Sequence, residues 1–409
     1  MINTYDIIIV GGGAAGFFTA INAATLDSTL KIAILERGKE VLTKVRISGG
    51  GRCNVTHAEF IPKELTQNYP RGKKELLGPF HSFMTGDTIA WFEERGVILK
   101  IEEDGRMFPV SDSSKTIIDC FISETKRLNI DVLTGQSVKS ISFKNDTWNV
   151  ITSTEEFSAT KIVMATGSNP KVWKLLQTLG HSVIPPVPSL FTFNIQDERI
   201  SNLPGIATEA AVKVLLENGK VLESEGPLLI THWGMSGPAI LKLSAWGARD
   251  LEPTHYHFTI EVNWLLDQSY EDILKALSDL KMKHAKQTLQ KYTQFELPKR
   301  LWQSLVTTSG ISSTQIWANL SKESLQLLAN QLTQSKFEVT GKSTFKEEFV
   351  TAGGIKLKEV NFKTFESKIC QDLYFAGEIL NIDAITGGFN FQNAWTGGYL
   401  VAQAITKKS

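Results

Sequence analysis

The pattern of apolar and polar positions in residues 1–36 predicts two β-strands separated by a turn and a helix. Residues 5–10 form a short apolar run, and six small residues follow at 11–16. Residues 17–24 have the spacing of a helix, and a second apolar run at 31–35 ends in Glu36. This order is typical of a Rossmann-type domain, so the sequence predicts an α/β fold that binds a dinucleotide cofactor.

The small residues of the turn each have a role in such a site. Gly11 allows a tight turn after the strand, Gly13 lets the backbone approach a pyrophosphate, and Gly16 lets the helix pack on the strand. Ala14 and Ala15 contribute N–H groups at the start of the helix, where such groups lack intrahelical partners and lie at the positive end of the helix dipole. We therefore expect an anion to bind here.

Glu36 follows Gly16 by twenty residues, at the end of the second strand. Its carboxylate can accept hydrogen bonds from the hydroxyl groups of an adenosine ribose, and the same charge would repel a 2′-phosphate. The sequence therefore disfavours NADP at this site. Arg37, the next residue, is included among the expected cofactor contacts.

A second glycine-rich segment, residues 44–56, has three consecutive glycines flanked by two arginines. We interpret it as a loop that lies against the ligand, with amide and guanidinium groups directed at phosphate or at a flavin ring edge. The alternative is a surface loop with two solvated arginines. The cofactor contacts expected from this segment are Arg46, Ser48, Gly49, Gly50, Gly51, Arg52, Cys53 and Asn54.

Two apolar segments farther along the chain, 131–138 and 161–168, predict further strands of the same sheet, and residues 140–160 predict a hairpin between them. The second strand ends in Ala-Thr-Gly, a tight exit expected beside the pyrophosphate-binding helix. Val138, Thr166 and Gly167 are therefore included among the cofactor contacts.

The C-terminal region predicts a strand at 372–377, a second glycine turn at 386–388 and a helix that ends at about Ile405. The N-terminus of this helix would point at the pyrimidine edge of an isoalloxazine ring and stabilise negative charge there. This second site element favours FAD over NAD; the alternative is a helix that is simply capped by glycines. The expected contacts are Gly377, Glu378, Asp383, Gly387, Gly388, Phe389 and Asn390.

The middle of the chain has a different pattern. The proline-rich segment 185–188 is interpreted as a linker, and short apolar runs between 191 and 262 predict β-strands. Apolar residues at three- and four-residue spacing predict helices between 270 and 333. Strand patterns return at 337–339 and 349–355 before the chain re-enters the first domain.

The chain resembles the BaiN-like (YhiN-type) family of bacterial flavoproteins over essentially its whole length. The resemblance rests on residues 11–16, 44–56, 231–241 and 375–404, and Gly-Gly-Gly-Arg-Cys-Asn at 49–54 is its most specific element together with Thr-Gly-Gly-Phe-Asn at 386–390. One departure is Ser168, where the family often has a glycine.

This resemblance implies non-covalent FAD on a three-layer ββα Rossmann-type domain that is interrupted by a β-barrel carrying a small helical subdomain. The expected boundaries are 1–187 and 354–409 for the FAD-binding domain, 188–264 and 335–353 for the barrel, and 265–334 for the helical subdomain.

Two residues are candidates for catalysis, although neither has a partner in the sequence that would assign it a role. His232 lies in the turn-rich segment 230–239 and could transfer a proton near neutral pH; the alternative is a hydrogen-bonded histidine in a capping loop. Cys53 lacks a second cysteine at the spacing that disulfide reductases use, which favours a buried packing residue over a redox thiol.

Composition limits the partners that we expect. Lys+Arg and Asp+Glu each total 43, so the net charge is zero, and without a basic tract we expect no nucleic-acid partner. No apolar run is long enough to span a bilayer and the first strand starts near the N-terminus, so we expect a cytoplasmic protein without a membrane segment. Cys53, Cys120 and Cys370 lie far apart, so neither a disulfide framework nor a metal site is expected.

The function predicted from the sequence is that of an FAD-dependent oxidoreductase with a small-molecule substrate, bound between the two domains. The resemblance implies reduction of a C=C bond, as in bile-acid-type enones. The chain has one Gly-x-Gly-x-x-Gly unit, so NAD(P)H would bind only transiently as the reductant. The alternatives are a non-catalytic FAD-binding redox sensor or assembly protein and a nucleic-acid-modifying flavoprotein, against which the net charge argues. The sequence leaves the oligomeric state open.

Overall fold

A computed structural model of the chain describes residues 2–216, 219–266, 268–344 and 350–407. Two compact units are present. The first comprises Met1–Val187 and Lys346–Ser409, and the second comprises Pro188–Phe345. The sequence-based domain boundaries stay predictions.

The strands of both units are numbered in chain order. They are β1 Asn3–Val10, β2 Ile32–Leu35, β3 Thr56–His57, β4 Leu99–Ile101, β5 Arg106–Pro109, β6 Asp131–Leu133, β7 Ser140–Lys144, β8 Thr147–Ile151, β9 Glu156–Met164, β10 Val183–Ser189, β11 Thr192–Asn194, β12 Ala207–Leu215, β13 Val221–Thr231, β14 Gly234–Ser236, β15 His257–Asn263, β16 Ser335–Ser343, β17 Val350–Ile355, β18 Val360–Asn361, β19 Glu366–Ser367 and β20 Leu373–Phe375.

The helices are numbered in the same way. They are α1 Ala14–Leu26, α2 Thr43–Gly51, α3 Pro62–Thr66, α4 Lys73–Phe80, α5 Thr85–Glu93, α6 Ser114–Arg127, α7 Pro170–Thr178, α8 Glu198–Ser201, α9 Pro238–Trp246, α10 Ala248–Leu251, α11 Tyr270–Lys283, α12 Lys299–Thr308, α13 Lys322–Thr333 and α14 Phe389–Thr406, with short 3₁₀ turns at Trp317–Asn319 and Leu357–Glu359.

The first unit is built on a mixed sheet in which the central strands are parallel. The strand order is β18-β19-β20-β9-β1-β2-β6, and β7 and β8 extend it as an antiparallel arm from β9. Strand β1 lies between β9 and β2 and is parallel to both, with Ile8 opposite Ala33 and Ile162. The Rossmann-type α/β fold and the hairpin predicted from the sequence are confirmed.

Helices α1 and α14, which come from opposite ends of the chain, pack against each other in this unit. Gly398 of α14 makes the close approach possible, because a Cβ at this position would lie 3.0 Å from the Thr19 Oγ1 atom and 3.2 Å from the Ala15 carbonyl oxygen. An aromatic cluster fills the adjoining core, where Phe18 and Phe121 both lie against Trp395. Burial of large aromatic rings of this kind is a major stabilising contribution.

Three predictions of local structure in the first unit are wrong. Strand β6 ends at Leu133, well before residue 138. Segment 44–56 is not only a loop, because α2 covers Thr43–Gly51, although the helix is broken at residues 48–50. The proline-rich segment 185–188 contains the boundary between the two units, after Val187, but it is a strand rather than an irregular linker: it lies in β10, which pairs with β17. A two-stranded ladder tolerates prolines because an edge strand leaves many N–H groups unpaired.

The second unit contains a closed antiparallel barrel, and its helices share the same core. Among the described residues the barrel order is β11-β14-β13-β12-β15-β16. Buried barrel residues such as Val212 and Ile260 belong to one cluster with Trp302 and Leu328 of the helices. The barrel and the helices between 270 and 333 are therefore confirmed.

One segment that was assigned in part to the barrel has a different position. Strand β17, Val350–Ile355, pairs with β10 in a separate two-stranded sheet. Phe349, which the predicted return strand included, lies outside the described residues. None of the helices in the described ranges has the length and apolar character that crossing a membrane requires.

Candidate dinucleotide-binding site

The turn between β1 and α1 has the close contacts expected of a dinucleotide-binding turn. Gly11 has a φ of +118°, and a Cβ on it would lie 2.3 Å from the Ala165 carbonyl oxygen. A Cβ on Gly16 would lie 2.1 Å from the Gly11 carbonyl oxygen. Because real Cβ atoms never come this close to an oxygen, both positions require glycine.

Gly13 differs from its neighbours because the space beside it is open. No atom lies within 4 Å of a Cβ built at this position, and the backbone there is extended, with a φ of −98°. Helix α1 begins at the next residue, and no side chain caps it. The N–H groups of Ala14 and Ala15 are thus available to an anion at the positive end of the helix.

The Glu36 carboxylate organises the same turn. One oxygen accepts a hydrogen bond of 2.8 Å from the Gly12 N–H group, and the other accepts one of 2.7 Å from the Gly38 N–H group. An ionised carboxylate has about four acceptor positions, so positions remain for ribose hydroxyl groups. Arg37 is exposed beside it, and Val138 lies half-buried in the segment after β6.

The C-terminal ends of β1, β9 and β20 lie side by side at one edge of the sheet. The Ala165 N–H group donates to the Val10 carbonyl at 2.8 Å, and the Ala376 N–H group donates to the Met164 carbonyl at 3.1 Å. Thr166 and Gly167 follow the first of these contacts, and a Cβ on Gly167 would lie 3.6 Å from a carboxylate oxygen of Glu378. The carboxyl edge of a parallel sheet is where such folds bind their ligands.

Gly377 and Glu378 connect this edge to the N-terminal half of the site. A Cβ on Gly377 would lie 3.1 Å from the Cβ atom of Ala15, so the exit of β20 abuts the start of α1. The Lys44 Nζ atom lies 2.6 Å from the Glu378 carboxylate. The predicted contacts from the two ends of the chain are therefore neighbours.

The second glycine turn, which precedes α14, is packed against the segment after α2. Gly387 and Gly388 have φ values of +134° and +93°, and a Cβ on Gly388 would lie 2.6 Å from the Thr56 carbonyl oxygen. The side-chain amide of Asn54 lies 3.0 Å from both the Gly388 nitrogen and the Thr56 oxygen, and in one amide orientation it bonds both. Asn54 thus fixes the N-terminus of α14.

Asn390 and Phe389 fix the same helix start from inside α14. The Asn390 side chain accepts from the Ala384 N–H group at 3.0 Å and donates to the Ala384 carbonyl at 3.1 Å. The Phe389 carbonyl accepts a 2.6 Å hydrogen bond from the buried hydroxyl group of Tyr69, whose pKa is raised by burial. These bonds make the turn a rigid element rather than a flexible loop.

Asp383 is completely buried and forms a two-point ion pair with Arg71. The Arg71 Nε atom lies 2.5 Å from one carboxylate oxygen, and the Nη2 atom donates to the other. The two residues also form a backbone bridge. The structure therefore gives Asp383 a partner within the protein, and its predicted contact with the cofactor stays a prediction.

The two arginines of segment 44–56 make ion pairs with the protein. Arg46 lies 2.7 Å from Glu40, and Arg52 lies 2.5 Å from Glu102 while its guanidinium group stacks on Phe108. Glycines 49, 50 and 51 have positive φ values, and the Ser48 hydroxyl group donates to the Val45 carbonyl. Both arginines are therefore engaged within the protein, and the contacts of this segment with a cofactor stay predictions.

The two candidates for catalysis have contrasting surroundings. Cys53 is fully buried, and burial raises its pKa to about 12, against a smaller opposing effect of the Ser48 hydrogen bond. Its thiol keeps its proton at neutral pH and is a poor nucleophile. His232 is exposed in the turn between β13 and β14, where the sequence pattern predicts a longer irregular connection. Its catalytic role stays a prediction.

Several residues that position the site were not identified from the sequence. Lys44, Arg71 and Tyr69 hold the C-terminal elements. Gln392, which is completely buried, accepts from the hydroxyl groups of Thr56 at 2.6 Å and Thr88 at 3.0 Å. Lys44 lies within the segment that sequence analysis singled out, but the others carry no local signal because their partners are more than 300 residues away in the chain.

The chain is similar over nearly its whole length to two bacterial proteins. It is 29% identical over 415 residues to a ribosomal RNA dihydrouridine synthase from Haemophilus influenzae, with 98% of each chain covered. It is 26% identical over 408 residues to a 3-dehydro-bile acid delta(4,6)-reductase from Clostridium scindens, again with 98% of each chain covered.

A comparison with solved structures supports the fold. The 3-ketosteroid-delta4-(5alpha)-dehydrogenase of Rhodococcus jostii RHA1 aligns with 99% of this chain and 97% of its own, with a TM-score of 0.53 and 12% sequence identity. The family model described as the HI0933-like protein Rossmann domain matches residues 5–404. The family resemblance deduced from the glycine motifs is confirmed, and the chain belongs to the HI0933-like Rossmann domain family.

Proposed function

We propose that this protein binds FAD non-covalently and uses it to reduce a C=C bond that is conjugated with a carbonyl group. The observation that carries the proposal is the contact of Gly377, after β20, with Ala15 at the start of α1, together with the open space beside Gly13 and a glycine turn before each of the helices α1 and α14. Similarity over 98% of the chain to a named delta(4,6)-reductase supports the reaction class.

The residues present fit the dinucleotide part of FAD. Gly13 leaves the volume that a pyrophosphate needs, and the first N–H groups of α1 would bind its charge. Glu36 would hold the ribose with its remaining acceptor positions, and charge-assisted hydrogen bonds of this kind contribute about 1.5–3 kcal/mol each. The N-terminus of α14 would lie against the ring system, as its glycine turn predicts.

FAD, when bound, would supply the two-electron chemistry, while the chain positions it and sets the local charge. We propose NAD(P)H as the reductant, bound transiently. In the overall reaction NAD(P)H gives up a hydride and becomes NAD(P)⁺. The two carbons of the C=C bond gain that hydride equivalent and a proton, so the bond becomes a single bond.

The substrate class has two candidates that share this chemistry. The first is a small enone, supported by the name of the Clostridium scindens relative. The second is a uracil ring in ribosomal RNA, supported by the name of the Haemophilus influenzae relative, which is 29% identical. Dihydrouridine is uridine in which the ring C=C bond next to a carbonyl has been saturated, so both names describe addition of hydrogen to a conjugated C=C bond.

The zero net charge does not decide between these candidates. A total over 409 residues says nothing about the local field at one surface, and it is the local field that attracts a polyanion. We therefore keep RNA as a candidate substrate, against the expectation that sequence composition alone produced.

The reaction is tested under anaerobic conditions. The FAD-loaded protein is mixed with NADH or NADPH, and we expect the visible absorbance of the flavin to bleach with at least one of them. Addition of a bile-acid-type enone, or of unmodified ribosomal RNA, should then restore the absorbance, and mass spectrometry should detect the saturated product or dihydrouridine.

The outcomes separate the rival functions. A flavin that neither nucleotide bleaches contradicts NAD(P)H as the reductant. A flavin that is reduced but gives neither product contradicts the reaction proposed here and favours a non-catalytic redox sensor or assembly protein. Conversion of only one substrate identifies the substrate class.

A further inference from the structure

We propose that an exposed group of lysines on the helical part of the second unit binds the phosphate backbone of RNA. The group comprises Lys283, Lys286, Lys291 and Lys299, and we call it the lysine patch. This inference rests on the RNA candidate of the proposed function and names the surface that would hold that substrate.

Positive charge is concentrated in the segment that carries the lysine patch. Residues 281–300 contain six Lys and Arg residues and a single acidic residue, Glu296, in a chain whose net charge is zero. Two of the six cations bond to backbone carbonyls: the Lys281 Nζ atom donates to Leu320, and the Arg300 Nη2 atom donates to Asn202. The four lysines of the patch remain, and all four are exposed.

The ammonium groups of the lysine patch are also not paired with carboxylates in the part of the chain that the structure describes. Among the residues that the structure describes, no carboxylate lies within 4.0 Å of any of its four Nζ atoms. By contrast, several lysines of the first unit, such as Lys44, Lys100 and Lys115, are each paired with a carboxylate. Exposed ammonium groups without a carboxylate partner can neutralise the phosphates of a nucleic acid. This binding is favourable because it releases the counterions that are condensed on the phosphate backbone.

The loop that carries the middle of the patch is held rigidly. The buried Leu289 carbonyl accepts a 2.9 Å hydrogen bond from the buried Trp302 indole group, and the Gln287 carbonyl accepts one of 3.0 Å from the Trp317 N–H group. Residues 288 and 316 form a backbone bridge. The lysines of this loop are therefore presented by a fixed backbone.

Two further hydrogen bonds join this loop to α12. Gln303 of α12 donates to the Gln290 carbonyl at 3.2 Å, and Gln290 donates to the Thr307 hydroxyl group at 3.0 Å. Lys299 precedes Gln303 by four residues and so lies on the same face of α12, one turn away. The loop that carries Lys291 is thus bonded to the face of α12 on which Lys299 lies.

An exposed aromatic ring lies within the patch. Tyr292 is 52% exposed, and the Lys291 Nζ atom lies 5.2 Å from the centre of its ring. Exposed aromatic rings beside cations are the usual platform on which unpaired bases stack. In residues 281–300 the only other large exposed hydrophobic side chain is Met282. A membrane surface would require a broader apolar face, so the surface favours RNA over an anionic bilayer.

The experiment uses the full FAD-loaded chain and unmodified large-subunit ribosomal RNA that is transcribed in vitro. The test variant carries K283E, K286E, K291E and K299E. The matched control carries K126E, K144E, K358E and K363E, four exposed lysines of the first unit that change the net charge equally. Bound flavin absorbance and thermal unfolding show that each variant is folded.

We expect the test variant to bind the RNA at least about tenfold more weakly than wild type at about 100 mM salt, with a slope of log affinity against log salt that is shallower by roughly 3–4. The control should stay within about threefold of wild type. Reduction of flavin by NAD(P)H should be the same in all three proteins, because the lysine patch is not part of the dinucleotide site.

Four outcomes would overturn the inference. The wild type does not bind the RNA, or the test variant binds it as tightly as wild type does. Alternatively, the test variant and the control lose RNA affinity equally, or the wild type binds phosphatidylglycerol vesicles more tightly than RNA. Failure of the proposed substrate is distinguishable: RNA that binds through the lysine patch but yields no dihydrouridine contradicts the substrate, not the patch.

Discussion

Lys44 and Glu378 are 334 residues apart in the chain, and their side chains form an ion pair of 2.6 Å. Lys44 lies in α2, and Glu378 follows β20, so the pair joins the N-terminal and C-terminal elements of the dinucleotide site. Its stabilising effect is small because Lys44 is 54% exposed, and water screens such pairs to about 0–1 kcal/mol. Its importance is geometric, since it holds residues from both ends of the sequence next to each other at the candidate site.

Glu36→Ala should weaken FAD binding. The carboxylate holds the Gly12 and Gly38 N–H groups and would also bind the ribose, so the variant loses both the turn geometry and the ligand bonds. Loss of one charge-assisted bond predicts a decrease in affinity of roughly 10- to 100-fold. The measurement is FAD occupancy after dialysis, with Glu36→Gln as the conservative control. Occupancy equal to that of wild type in Glu36→Ala would contradict the role of this carboxylate.

Gly13→Val should weaken FAD binding strongly and leave the fold intact. The extended backbone at Gly13 accepts a β-branched residue, and the first atom of the side chain meets only open space. That space is where the pyrophosphate would lie. We expect a melting temperature of the flavin-free protein close to that of wild type, together with at least about tenfold weaker FAD binding.

Gly11→Ala is the contrasting variant at the same turn. Its Cβ would lie 2.3 Å from the Ala165 carbonyl oxygen at a φ of +118°, so the flavin-free protein itself should be destabilised. If Gly13→Val retains FAD as wild type does, the pyrophosphate position is wrong. If both variants melt at the same lowered temperature, the position of Gly13 does not accept a side chain, which contradicts the open space described there.

Arg71→Met should destabilise the first unit strongly. The variant leaves the Asp383 carboxylate buried without its bidentate partner, and such breaks cost about 3–5 kcal/mol. Urea unfolding followed by tryptophan fluorescence gives the change in stability. The double variant R71M/D383N should recover part of the loss because it removes the uncompensated charge. A change below about 1 kcal/mol in Arg71→Met would show that the pair is not the stabilising contact described here.

Cys53 should make the stability of the protein depend on alkaline pH. Burial raises the pKa of the folded-state thiol from 9.0 to about 12, so the unfolded chain releases this proton first as the pH rises. The contribution is fully present below about pH 9 and is lost as the pH rises through the folded-state value.

The measurement for Cys53 is the loss of stability between about pH 8 and about pH 10.5 in wild type and in Cys53→Ala, compared as a difference because Tyr5 and Tyr374 also have raised pKa values. Wild type should lose more than the variant. Equal losses would show that the thiol ionises normally. Retained turnover in Cys53→Ala would confirm that the thiol is not the nucleophile.

The sequence predicts the elements of this site well where the signal is local. The turn at Gly11–Gly16, the helix that follows and the acid at the end of β2 are each determined by neighbouring residues, and the structure has all of them. The same holds for the start of α14 after Gly388, since a glycine pair directly before a helical pattern marks the boundary in the sequence itself.

The contacts that join these elements could not be predicted in this way. Arg71 and Asp383 are 312 residues apart, and neither has a neighbour in sequence that identifies the other. The helix in segment 44–56 and the strand through Pro185 and Pro186 were missed because composition favours loops at both places. Pairing of β10 with β17 overrides that local preference, as tertiary contacts often do.

The central claim is that the two ends of the chain form one FAD site, and the cofactor content of the purified protein tests it most directly. The protein is expressed with flavin available, desalted and heated, and the released nucleotides are separated by chromatography and quantified against the chain. We expect about one FAD per chain in wild type, no NADP, and a strongly reduced FAD content in Gly13→Val. A folded wild-type protein that releases no FAD, or that releases NADP instead, would contradict it.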